Sequence, residues 1–204
     1  MDITRLTRQS HRQTRPAMTL LGQFDFAGAR VHEACGAARR RLALWLARGL
    51  SGPVLWIRPA WSTDRLHMAG VAAEIEPGRI ILVEPQRAED VLWSLEQALR
   101  SGAVALAVAE CAVAPELTPV RRLHLAAEAG AEAGGCAPLG LLLTPGAGGA
   151  RGVESRWRLE PDHGAARSGW QLERLRARTA PEGRWPVIWS NGRAQLDDQA
   201  AAIA

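Results

Sequence analysis

Apolar residues recur along the chain with two alternating periods. Between residues 33 and 48, Ala38, Leu42, Trp45 and Leu46, continued by Leu50, fall at helical spacing, with Arg39, Arg40, Arg41 and Arg48 largely off that stripe. Gly49 and Gly52-Pro53 end the pattern, which predicts a helix over 33–48. Val54, Leu55, Trp56 and Ile57 follow as a short apolar run closed by Pro59. A polar stretch with Asp64 then leads to a second run at 80–83, closed by Pro85. Both runs predict strands. Ala88, Val91, Leu92, Leu95 and Leu99 mark another helix, with Glu96 and Arg100 four apart as a supporting ion pair and Ser101-Gly102 as its stop.

Residues 104–109 are apolar at every position, as a strand covered on both faces must be, and the run stops at Glu110-Cys111. Thr118 before Pro119 predicts a capped helix start, continued by Val120, Leu123 and Ala127 as far as Gly130. Residues 139–143 predict a further buried strand, followed by the glycine-rich stretch 146–152. Beyond it, 155–160 and 170–178 alternate apolar and charged residues, as half-exposed antiparallel strands do, before an apolar run at 185–189. The pattern predicts a three-layer α/β fold with a mainly parallel central sheet and antiparallel C-terminal strands. It divides the chain into a basic, flexible arm over 1–22, one domain over 23–190 and a loose tail over 191–204. Ligands of such sheets bind at the carboxyl ends of strands, here 58–64, 85–87, 110–115 and 144–152.

Composition changes this picture in one respect. All 25 basic residues are arginine, with no lysine and no tyrosine. That excludes Schiff-base chemistry and an intact phosphate-binding P-loop, whose lysine reaches the terminal phosphates. A GC-rich coding bias explains the scarcity in general. The net charge of +4 is uneven: residues 1–50 hold nine arginines against three acids, 51–150 seven against eleven, and 151–204 nine against seven. Arg5, Arg8, Arg12 and Arg15 recur at helical spacing, either as an arm that touches phosphates or as a tail that touches nothing, with Met18 as an alternative start. No apolar segment of a secretory signal follows them. Cys35, Cys111 and Cys136 are widely spaced and form no C-x-x-C pair, which fits reduced thiols of a cytoplasmic protein, and His32-x-x-Cys35 is too little for a metal. No apolar run approaches the ~18 residues that span a bilayer, so no membrane contact is expected.

Several segments carry a family resemblance: Gly70-Val71, Arg79-Ile80-Ile81-Leu82-Val83-Glu84-Pro85, Arg100-Ser101-Gly102-Ala103-Val104, and the strand running to Glu110. In this order and spacing, over roughly residues 31–145, they resemble the RecA core. The Arg-Ser-Gly-Ala-Val pentapeptide is the most specific of them. Within that superfamily the chain looks most like the ImuA family, RecA-like accessory proteins of bacterial SOS mutagenesis. His32-Glu33-x-x-Gly36, Val153-Glu154-Ser155-Arg156-Trp157-Arg158-Leu159 and Trp170-Gln171-Leu172-Glu173-Arg174-Leu175-Arg176-Ala177-Arg178 are similar to segments of that family.

The resemblance also shows what is altered. Where a RecA-like ATPase has a loop ending in Gly-Lys-Thr, this chain has Gly36-Ala37-Ala38-Arg39-Arg40-Arg41, without lysine or hydroxyl. Where the family places the carboxylate that activates water, it reads Arg58-Pro59-Ala60-Trp61, and the Walker B aspartate position is Glu110. Phosphoryl transfer rests almost wholly on positioning and electrostatics, so each change costs orders of magnitude in rate. The resemblance implies a non-catalytic accessory protein of translesion mutagenesis, with no required cofactor, a polymerase homologue of the ImuB kind as protein partner, and weak DNA contact. The alternative is a nucleotide or phosphate sensor, or a weak ATPase, holding ATP and Mg²⁺ through Gly36, Arg39, Arg40, Arg41 and Glu110. By the same resemblance Arg121, Arg122, Arg151 and Arg156 are candidates for DNA. Arg39–Arg41 also fit a solvated helix face, His124 and Glu128 an ordinary surface pair, and Trp61 either core packing or a stacking surface.

Overall fold

The apolar runs of the first two thirds become neighbouring parallel strands, and the alternating runs of the last third become an antiparallel extension of the same sheet. The computed structural model describes residues 16–164 and 168–197. In chain order the strands and α-helices are β1 (Pro16–Leu20), β2 (Phe24–Ala27), β3 (Arg30–Cys35), α1 (Arg39–Gly49), β4 (Val54–Ile57), α2 (Met68–Ala72), β5 (Ile80–Val83), α3 (Ala88–Ser101), β6 (Leu106–Glu110), α4 (Leu117–Ala133), β7 (Leu139–Leu143), β8 (Ser155–Pro161), β9 (Gly169–Ala177), β10 (Gly183–Ser190) and β11 (Arg193–Leu196). Nine of the strands form one sheet in the order β11-β10-β9-β8-β3-β7-β6-β4-β5, and β1 and β2 form a separate hairpin. Pairing is parallel from β8 to β5 and antiparallel from β8 to β11.

Side chains of the sheet alternate into two cores. Leu106 and Val108 of β6 join Trp45, Trp56, Trp157 and Trp170 under α1 and the hairpin, while Ala107 and Ala109 face Leu95, Leu99 and Leu123 of α3 and α4. Each large side chain so buried contributes about 1.5–3 kcal/mol. The result is a three-layer α/β fold whose central sheet is mainly parallel. The strand 80–83 lies at the sheet's edge, which leaves Ile81 and Leu82 exposed.

Several local expectations change. Residues 30–35 are a strand, and the helix begins at Arg39 instead of residue 33. His32 and Glu33 look polar, yet both are buried and internally bonded, so β3 lacks the alternation of an amphipathic strand. Thr118 caps nothing: Glu116 holds the N-cap position without a side-chain bond, and the helix continues past Gly130 to Ala133. The basic arm cannot extend to residue 22, because Met18 and Leu20 pair in the hairpin and are buried in the core with α1. Arg5, Arg8, Arg12 and Arg15 lie outside the described residues. The tail does not start at 191 either, since β11 pairs with β10 and Leu196 packs against the core. Residues 198–204 lie outside the described part.

The pentapeptide ending α3 has a packing reason. Gly102 adopts φ +60° as the left-handed C-cap, and a Cβ there would lie 2.3 Å from the Gly130 carbonyl oxygen of α4. A Cβ on Gly130 would lie 1.9 Å from the Leu99 carbonyl oxygen. Backbone blocks the space, so no rotamer change relieves it. The Gly130→Ala variant should therefore lose about 1–3 kcal/mol in denaturant unfolding, although alanine favours a helix over glycine by about 1 kcal/mol. An unchanged or raised midpoint would contradict this contact.

A buried histidine ties the hairpin to the sheet. His32 donates from Nε2 to the Ala27 carbonyl at 3.0 Å, which leaves Nδ1 to accept the Ser155 hydroxyl at 2.7 Å, and Ser155 Oγ accepts from Trp157 Nε1 at 2.8 Å. Burial lowers the pKa of His32 to about 4, against the smaller opposing effect of the Ala27 bond. The unfolded chain takes up a proton on this ring below pH ~6.5, and the folded chain does so only near pH 4, so stability is full above that range and falls through it. The loss from His32 approaches about 3 kcal/mol at the acid end. His124, lowered to about 4 chiefly by burial, acts in the same direction. Between pH 7 and 5 the unfolding free energy should drop, and His32→Gln should flatten that drop. An unchanged slope would remove His32 as its source.

Candidate functional site

The chain leaves β3 through Gly36 and enters α1 on three arginines. Gly36 has φ +87°, and a Cβ there would lie 2.5 Å from the Leu159 carbonyl oxygen and 2.9 Å from Glu160 Oε1. Strand β8 therefore lies directly over the turn. A helix entrance with free amides is a ready anion site. In this turn Gly36 N–H donates to the Gly146 carbonyl at 3.1 Å, Ala38 N–H to the Leu159 carbonyl at 3.0 Å, and Ala37 N–H to Glu160 Oε2 at 3.1 Å. The anion at the turn is the protein's own carboxylate. The Ala37 N–H holds the Glu160 carboxyl below the usual carboxylate range, with Arg158 adding to it against the cost of burial.

Across the edge, β6 ends at Glu110, separated from β3 by β7 alone. Arg40 grips this carboxylate with both ends of its fork, Nε to Oε1 at 3.0 Å and Nη2 to Oε2 at 2.7 Å. Trp56 Nε1 donates to Oε1 at 2.8 Å, and the Asp64 carboxylate takes Arg40 Nη1 at 2.8 Å. Bidentate charge-assisted bonds of this kind are the strong ones. Burial works against the Arg40 charge, but Glu110 and then Asp64 outweigh it and raise the guanidinium pKa.

Of the proposed nucleotide set, then, Gly36, Arg40 and Glu110 meet at one edge, and Arg40 closes on Glu110. Arg39 stays on the turn, its Nη1 donating to the Gly36 carbonyl at 3.1 Å. Arg41 departs: it pairs with Glu74 at 3.0 Å and lies over the rings of Trp170 and Trp189. The proposed DNA set is divided as well. Arg122 pairs with Glu96 at 2.7 Å and Arg156 with Glu33, whereas Arg121 and Arg151 line an open groove beside α4. His124 does not pair with Glu128; it accepts the Val31 N–H at 3.3 Å and donates to the Gly152 carbonyl at 3.1 Å. Trp61 is 51% exposed and so is not core.

Glu33 is the main functional-edge residue that the sequence does not announce. Fully buried, it accepts from Thr144 Oγ1 at 2.6 Å, from the amides of Gly149 and Ala150 at 2.8 and 3.0 Å, and from Arg156 Nε. It pins the glycine-rich loop 146–152, where a Cβ on Gly148 would fall 2.8 Å from its Oε1. The sequence shows it only within His32-Glu33-x-x-Gly36, a segment that the resemblance includes without giving the acid a role. At the end of β4, where the resemblance places a hydrolytic carboxylate, Arg58 is instead buried with Nε 2.8 Å from Glu84 Oε1 and Nη1 2.8 Å from the Ser62 carbonyl. The three cysteines are free, and burial pushes the thiols of Cys35 and Cys111 up to about 11 and about 12. Among the described residues no group of three or more His, Cys, Asp or Glu is placed to hold a metal, and no helix is long and apolar enough to cross a membrane.

No protein-family model and no curated protein matches the chain.

Removing the Glu33 carboxylate leaves Arg156 and two loop amides without their acceptor. Glu33→Ala should lower stability by about 3–5 kcal/mol, the cost of breaking a buried pair from one side. Proteolysis should then begin within 144–152; cleavage elsewhere with the loop intact would count against this role.

Proposed function

We propose that the chain is a RecA-like accessory protein that does not hydrolyse nucleotide and acts through protein contacts in bacterial translesion mutagenesis, as its likeness to the ImuA family implies. One observation carries the non-catalytic half of this reading: the Arg40–Glu110 pair stands across the edge where a metal–nucleotide complex would lie. The residues present do not fit that complex. To admit it, Arg40 would have to release both Glu110 and Asp64, and Glu160 would have to leave the Ala37 amide. Glu110 would then keep only the Trp56 N–H, and the turn offers no lysine or hydroxyl in exchange. At the end of β4, Arg58 adds a cation where hydrolysis needs a base.

The accessory half rests on the resemblance and on the charge distribution. With residues 1–17 set aside, where four arginines face one acid, the rest of the chain carries only +1. Non-specific attraction to DNA scales with the phosphates a surface neutralises, so DNA contact by this body is weak.

Two measurements test the reading. MgATP and MgADP should leave the melting temperature unchanged, since a ligand held only by the native state would raise it, and phosphate release should stay at background with or without single-stranded DNA. Turnover that disappears in Glu110→Gln would overturn the non-catalytic reading. In the host, deletion should lower damage-induced mutation, and the gene carrying Glu110→Gln should restore it; mutation rates indifferent to deletion would overturn the accessory role.

A further inference from the structure

A cavity of about 730 Å³ runs along α4, and its lining shares no residue with the Arg40–Glu110 pair or its bonded partners. Its floor is a stripe of that helix with Leu117, Arg121, Leu125 and Glu128 in line, and its far wall is the end of β9 with Arg176 and Arg178. Arg30, His124, Arg151 and Gly152 complete the lining, so five guanidinium groups face one lining carboxylate. Three of the five are already engaged: Arg30 with Glu128, Arg178 with Glu154 at 3.5 Å, and Arg151 with Glu116 at 3.5 Å. Arg121 and Arg176 are exposed and, among the described residues, have no carboxylate within ion-pair distance. Beside these charges, Leu125 is 63% exposed and Leu117 37%.

We propose that this groove binds an extended acidic segment of a partner protein, with two apolar side chains seated on Leu117 and Leu125 and carboxylates between them paired with Arg121 and Arg176. The spacing fits. Eight residues of helix separate the two leucines by about 12 Å, which an extended chain covers in about four residues, so side chains at i and i+4 fall on the same face. Arginine suits the task, since its fork matches a carboxylate bidentately. Nucleic acid is the poorer occupant. No Trp, Tyr or Phe lines the groove to stack on bases, the one lining ring, His124, has both nitrogens bonded within the fold, and the exposed Leu117 and Leu125 suit apolar side chains rather than a sugar-phosphate backbone. The inference rests on the accessory reading only in taking the partner to be a protein; it uses none of the residues of the Arg40–Glu110 edge, so either can fail without the other.

The test is fluorescence anisotropy with a labelled peptide, Leu-Asp-Glu-Asp-Leu flanked by glycines. Its charge-matched control has glutamine at both leucine positions, and oligothymidine is the nucleic-acid probe. The leucine peptide should bind at least about tenfold more tightly than the control, and the Arg121→Ala/Arg176→Ala double variant should lose at least about tenfold. Among the described residues those arginines make no ion pair or side-chain hydrogen bond, so the variant should melt with the parent protein, and Leu125→Ser provides a second variant that should weaken the peptide without changing the charge. Equal affinity for both peptides would reduce the groove to a general cation patch and overturn the proposal. So would tighter binding of oligothymidine, undiminished binding by the variants, or no peptide binding at all. Hydrolysis and nucleotide shifts, measured on the same protein, report on the other edge alone.

Discussion

The Arg40–Glu110 pair joins the first turn of α1 to the end of β6 and, through Asp64 and Trp56, to β4 and the segment after it. It is one of three such closures along the carboxyl edge of the parallel strands. Glu33 of β3 is matched by Arg156 of β8, and Arg58 after β4 is matched by Glu84 after β5. An open parallel sheet ordinarily leaves this edge for a ligand. In this chain the edge carries charge of both signs, and each charge is answered from within. The cation is arginine every time, and all three use the planar fork against more than one acceptor, which a lysine ammonium cannot reproduce. A composition that looks like coding bias thus becomes a structural requirement at Arg40, Arg58 and Arg156.

The parallel strands, the two long helices behind them and the antiparallel extension were readable from the sequence because their apolar spacing is a local property. Leu106 to Ala109 could only be a strand covered on both faces, and Val91, Leu95 and Leu99 only a helix packed on one. Residues 30–35 were misread for the opposite reason. His32 and Glu33 are bonded to Ser155, Thr144 and Arg156, more than a hundred positions away, and no local period records such partners. The hairpin and β11 escaped notice because each is a short strand whose burial comes from α1 and the sheet.

The candidate site divides along the same line. Gly36, Arg40 and Glu110 were singled out by the resemblance to the RecA core, since the local period alone put Gly36 and Arg40 inside one helix. Glu160 was not, since its bond to the Ala37 amide exists only because β8 returns beside β3. Set beside the RecA core that it resembles, the sequence lacks the lysine, hydroxyl and carboxylate of the ATPase, and at the corresponding positions the structure has Arg40 on Glu110 and Glu160 on the Ala37 amide. Loss of a lysine alone leaves a vacant anion cradle, which can still bind. At this turn the Ala37 amide already holds Glu160 and the Gly36 and Ala38 amides hold backbone carbonyls, so an incoming anion meets donors that are taken.

Closure of one edge also sharpens what remains open. Most arginines of the described chain face an acid, so the near-neutral sum of the body hides few unused charges. Arg121 and Arg176 are such charges, 55 positions apart in sequence and drawn to one groove by the packing of α4 beside the end of β9. Solvating a single exposed guanidinium costs nothing and needs no explanation. Two that share a groove with exposed leucines are different, because mutual repulsion disfavours the arrangement while apolar surface beside it stays wet. Both costs are relieved by one kind of occupant, a segment that carries acids and apolar side chains together. Charge in this fold is thus answered along the Arg40–Glu110 edge and left unanswered at Arg121 and Arg176.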